Sequence, residues 1–198
     1  MDHIMLLGDS ILDNGSYVPG GPCVLDHLRR RLGGRARATL LAVDGARIAN
    51  VPAQLANMPD DATHIVLSIG GNDALWCRGN LFELPVANVA EGLSLLSEVH
   101  GEFGQAFASL LDDIGRRYNL PVAICTIYDQ IPDLSPEERA GLCVFNDVIT
   151  RNALRKGLPL IDLRTLCVKA SDYSSISSIE PSQSGGAKIA DAICQLLY

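Results

Sequence analysis

The chain has 198 residues, 47% of them hydrophobic, enough for a sizeable core and a length that is most often one domain, here 1–198. Sixteen Lys and Arg against twenty-three Asp and Glu leave a net charge of −7, which argues against nucleic acid as a partner. No run approaches the roughly 20 apolar residues that span a bilayer, and MDH passes straight into IMLLGDS without the basic start of a signal peptide, so the expectation is a cytoplasmic protein without a membrane span.

In chain order, five short apolar runs read as strands: HIMLL (3–7), ATLLAV (38–43), HIVLSI (64–69), PVAICTI (121–127) and LPLIDL (158–163). Each is a continuous run, as expected of strands covered on both faces. Helical patterns lie between them, and this alternation predicts an α/β fold with a parallel sheet. Pro22 to Leu32 reads as a helix stopped by Gly33 and Gly34, and its basic end, Arg29 to Arg37, as a solvated helix terminus. Ile48 to Ala56 makes a shorter helix. From Val86 to Tyr118 apolar residues recur at three- and four-residue steps, predicting one long helix or two broken near Gly101 and Gly104. SPEE at 135–138 sets a serine cap, a first-turn proline and a returning glutamate, opening a helix to about Lys156. A last helix follows Ser182. The six cysteines show no C-x-x-C spacing and read as reduced, packed side chains.

Ligands of an open parallel sheet bind beyond the carboxyl ends of its strands. The segments leaving those ends are GDSILDNGSY (8–17), DGARIAN (44–50) and GGNDALW (70–76), with IEPSQSGG (179–186) before the last helix. Ser10, lifted by a tight Gly8-Asp9 turn, is placed to act as a nucleophile, with backbone amides beside it to face an oxyanion. Gly45 in a matching turn and the carboxamide of Asn72 supply further donors. Any one of these residues alone is ordinary turn and cap chemistry, whereas three at consecutive strand ends form an acyl-transfer arrangement. Asp13, Asn14 and Tyr17 after the nucleophile, and Trp76 and Phe82 after Asn72, are candidates to line a substrate pocket. The segment 78–104 is the candidate lid. Scattered histidines exclude a metal site, and no glycine-rich phosphate loop is present, so no cofactor is expected.

GDSILDN, the glycine in VDGARIAN, GGND and the C-terminal EPSQSGG together resemble the SGNH (GDSL-like) hydrolases, in that order and over nearly the whole chain. The resemblance implies a flavodoxin-like three-layer α/β/α sandwich on a five-stranded parallel sheet. It implies Ser10 as nucleophile and oxyanion donor, Gly45 and Asn72 as the other donors, and small-molecule ester substrates. It departs at the last block, where the family carries D-x-x-H: Glu180 stands at the histidine and Ser177 at the aspartate. Reference pKa values of about 4.3 and about 6.5 make a carboxylate base cost roughly 3 kcal/mol at full sensitivity, against on the order of a millionfold in rate for losing a base outright. The reading is therefore a serine esterase for short acyl or aryl esters, with Glu180 as base, directly or through water, active well below pH 6. Two alternatives stand beside it. One is a weak or inactive SGNH-fold protein that binds an acylated or carbohydrate ligand, with Glu180 only capping the last helix. The other recruits His100 from the lid segment as base.

Overall fold

A computed structural model describes residues 1–197. Its centre is a parallel sheet of five strands, β1 (Asp2–Gly8), β2 (Ala36–Leu40), β3 (His64–Ser68), β4 (Val122–Cys125) and β5 (Leu160–Ile161), in the order β2-β1-β3-β4-β5. That order is the flavodoxin-like one, with its switch point between β1 and β3. The register Ile4 to His64 and Gly8 to Ser68 brings these two strands to the same carboxyl edge.

Alternation along β1 divides the core. Ile4 and Leu6 face the side covered by α1 (Val24–Leu32) and α7 (Gln183–Leu197). Met5 and Leu7 face α2 (Val51–Leu55), α4 (Val89–Tyr118) and α5 (Pro136–Arg155). All four side chains are fully buried, each contributing about 1.5–3 kcal/mol relative to exposure. The result is the three-layer α/β/α sandwich expected from the sequence.

Several elements differ from expectation. The second strand starts at Ala36, and its exposed Arg37 marks it as an edge strand and not one covered on both faces. Residues 41–43 still bond to β1, Val43 N donating to Gly8 O at 3.1 Å. The fifth strand is only two residues long, because Asp162 turns the chain as the cap of α6 (Leu163–Leu166). The long segment forms one helix of 30 residues, opened by Asn88 and closed by the left-handed Asn119. Gly101 and Gly104, two of its four glycines, cost about 1 kcal/mol each, too little to break a helix anchored by buried Phe103, Phe107, Leu110, Leu111 and Ile114. A helix absent from the sequence reading, α3 (Gly71–Leu81), contains no fully buried residue, which is why no apolar stripe announced it. Among the described residues no helix is long and apolar enough to cross a membrane.

Candidate active site

Beyond the carboxyl edge, β1 ends in a turn that only glycine permits. Gly8 has φ 128, and a Cβ there would meet Ser68 O at 1.7 Å. The buried Gln54 side chain holds the same residue, its Oε1 accepting from Gly8 N at 2.8 Å and its Nε2 donating to Gly8 O at 2.7 Å. Asp9 N donates to Ser68 O at 3.1 Å, so the turn crosses the switch point, and Ser10 follows as a buried residue facing a cleft of about 270 Å³.

The Ser10 hydroxyl donates to Glu180 Oε1 at 3.0 Å, both side chains being buried. Glu180 comes from no strand end, and the chain around it is held by its backbone. Ser174 N donates to Glu180 O at 2.8 Å, Glu180 N to Ser177 O at 3.0 Å, and Tyr128 Oη to Ile179 O at 2.6 Å. Asn14 Nδ2 donates to Pro181 O at 3.0 Å. Ser177 therefore meets Glu180 through its backbone, not through its side chain. Burial raises the Glu180 carboxyl to about 7, with the Asp44 anion adding to the rise and the Ser10 hydrogen bond opposing it. A rise of that size runs against the expectation of activity well below pH 6 and brings the carboxyl close to the imidazole range.

Asn72 sits in the first turn of α3, not in an open loop, and its Nδ2 donates to Ala46 O at 3.1 Å. One amide hydrogen is thus fixed and the other remains for a ligand. The same bond ties Asn72 to the turn carrying Gly45, whose φ of 76 suits glycine. The amides of Ser10 and Gly45 have no protein acceptor among the described residues. Ser10 and Asn72 both line the cleft, while Gly45 does not.

The predicted pocket residues fare differently. Phe82 lines the cleft with Leu75, Leu81, Leu142 and Phe145, all from α3, α5 and their flanks. Trp76 does not: it is exposed, with the Arg47 guanidinium 5.4 Å from its ring centre. Asn14 is fully buried and used inside the protein, Oδ1 accepting from Val24 N at 2.8 Å. Asp13 accepts from Asp44 N at 3.0 Å, and Tyr17 donates to Asp44 Oδ2 at 2.8 Å, a bond that raises its phenol to about 12. Asp13 and Tyr17 tie together the loops after β1 and β2, Asn14 ties the first of these to α1 and Pro181, and none of the three lines the cleft. His100 lies on the seam of α4 and α5, Nε2 2.9 Å from Asp147 Oδ2, and is not a cleft residue. The proposed lid is the end of α3 and the start of α4. Sequence reasoning missed Asp9 as a cleft residue, although it stands in the GDS triplet, and missed Gln54, for which no local signal exists.

The protein is thus an α/β sandwich of flavodoxin-like topology whose switch-point crevice holds a serine hydroxyl against a carboxylate. Its family is shown by sequence: the chain belongs to the GDSL-like lipase/acylhydrolase family, matching it over residues 6–187. Solved structures share the fold over essentially the full chain. An extracellular lipase from Streptomyces rimosus is 19% identical, with TM-score 0.70, 98% of this chain and 99% of that one covered. An acetyl xylan esterase gives 16%, TM-score 0.72 and coverage of 99% and 100%. A phospholipase A1 from Streptomyces albidoflavus gives 15%, TM-score 0.73 and 98% of each chain. No curated protein matches the chain.

Proposed function

We propose that the protein is a serine esterase that hydrolyses short acyl esters through a Ser10 acyl-enzyme, with Glu180 as general base. The observation that carries this reading is the 3.0 Å hydrogen bond from Ser10 Oγ to Glu180 Oε1 inside an apolar cleft. Oγ attacks the ester carbonyl while Glu180 takes its proton. The oxyanion is received by the Ser10 and Gly45 amides and by the free Asn72 N–H. As the tetrahedral intermediate collapses, Glu180 returns the proton to the leaving alcohol, and water then repeats the sequence to release the acid. The acyl group lies among Leu75, Leu81, Phe82, Leu142 and Phe145.

Glu180 must be ionised to accept the proton, so activity is expected to fall as pH drops through about 7. The test is hydrolysis of p-nitrophenyl acetate, butyrate and octanoate from about pH 5 to about pH 9 by the protein and by Ser10→Ala, Glu180→Gln and His100→Ala. Ser10→Ala at the background rate and a fall of at least about a hundredfold in kcat for Glu180→Gln would support the reading. Full activity in Glu180→Gln with none in His100→Ala would transfer the base to His100. An unmutated protein no faster than Ser10→Ala would leave ligand binding without turnover.

A further inference from the structure

Ser10 is flanked by two carboxyl groups. Asp9 is 1% exposed and Glu180 5%, both line the cleft, and each has one oxygen, Asp9 Oδ2 and Glu180 Oε2, buried without a hydrogen-bond partner among the described residues. The other Asp9 oxygen accepts only from Ile11 N, at 3.1 Å. Gly71 N–H, across the turn, is near enough to favour the anion somewhat without reaching hydrogen-bonding geometry.

The same molecule shows what an ionised buried aspartate looks like. Asp172 is fully buried, with Lys188 Nζ 2.6 Å from Oδ2, Ser184 Oγ 3.2 Å from Oδ1, and Lys169 N 2.9 Å from Oδ2. Asp9 has no such set. The groups facing it are Glu180 from the C-terminal loop, Asp73 from α3, the buried thiol of Cys125 from β4 and the phenol of Tyr128 beyond it. The charged ones are both anions. Burial with a single amide donor, and with anions as its charged neighbours, favours the neutral form of such a carboxyl.

We propose that Asp9 is a neutral carboxylic acid in the working enzyme, so that of the two cleft carboxyls Glu180 alone carries the negative charge. The burial and anionic neighbours that raise Asp9 to about 8, above Glu180, agree with this division. Asp9 touches no reacting atom and is a positioning residue: as an acid it leaves Glu180 ionised and keeps a second negative charge away from the developing oxyanion. When Asp9 ionises, that charge opposes the oxyanion directly. The inference deepens the esterase reading and, as to rate, rests on it: kcat/KM should fall about tenfold per pH unit above about 8 through loss of the Asp9 proton.

The protonation state is measurable without any turnover. Infrared spectra of the full protein at pH 7, prepared with carboxyl-labelled aspartate, should contain a protonated-acid carbonyl band that shifts with the label, persists in Ser10→Ala and is missing in Asp9→Asn. Absence of a labelled acid band in the unmutated protein would overturn the proposal even if Asp9→Asn fails to fold. In the pH profile, Asp9→Asn should lose the alkaline fall and keep the acid one, whereas a merely structural role would lower the whole profile evenly. Retention of the alkaline fall by Asp9→Asn would also overturn it. The band present in a protein without esterase activity would uphold the neutral Asp9 and sink the esterase reading instead.

Discussion

At the scale of single residues, the site rests on side chains with few alternative partners. Asn72, a cleft residue, gives one amide hydrogen to Ala46 O, which fixes its carboxamide in place. Loss of one oxyanion donor typically costs about 10²–10³ in kcat. Asn72→Ala is therefore expected to lower kcat by that amount with KM changed by less than about threefold, measured on p-nitrophenyl butyrate. A matching loss in KM would place Asn72 in ground-state binding instead. Glu180 lacks an orienting side chain, since Ser177 offers it only a backbone carbonyl, so its direction is set by the backbone bonds on either side. GDS, the glycine at 45 and GGND were readable as chemistry because turn residues at successive strand ends converge in a parallel sheet. The pairing of Glu180 with Ser10, 170 residues apart, was expected only through the family resemblance, which left direct contact and a bridging water open.

At the scale of elements, buried carboxamides finish the strands. Gln54 brackets Gly8, and Asn146 of α5 brackets Ile127 in the same way, accepting from its N–H and donating to its carbonyl, both at 2.8 Å. Asn14 joins the start of α1 to Pro181, next to Glu180. Removing it leaves a buried amide and a buried carbonyl without partners, a loss of about 1–3 kcal/mol each. Asn14→Ala should thus destabilise the protein by about 2–6 kcal/mol in urea unfolding, and lower kcat as the loop bearing Glu180 loosens. Unchanged stability and activity would refute the coupling. Such ties join residues far apart in sequence and leave no periodic mark, so Asn14 and Tyr17 read as candidate pocket residues when their contacts are internal. Helix α3 shows the converse: its apolar side faces the cleft, not the core, and the usual stripe is missing.

For the whole molecule, the two cleft carboxyls make stability depend on pH. Both hold folded values above those of a free chain, about 8 for Asp9 and about 7 for Glu180, so the folded state binds more protons than the unfolded one. Their contribution is full below about pH 4, the unfolded value, and is lost as pH rises through those folded values. Asp172 runs the other way: despite its burial, the Lys188 contact holds it below its usual value, and that stability is lost on acidification. The melting temperature should therefore decline between about pH 5.5 and about pH 8.5, by an amount equivalent to a few kcal/mol, and Asp9→Asn should flatten the decline. A melting temperature that rises over that interval would contradict it. The sequence by itself determined the alternation of strands and helices, the parallel sheet, and the residues at its carboxyl edge, because periodicity, turn chemistry and caps act over a few neighbouring residues. Only the tertiary structure decided that Glu180 meets Ser10, that Asp9 shares its cleft, and that burial raises both carboxyls. Proton affinity depends on what surrounds a group in space, and here burial removes water that would stabilise an ionised carboxylate.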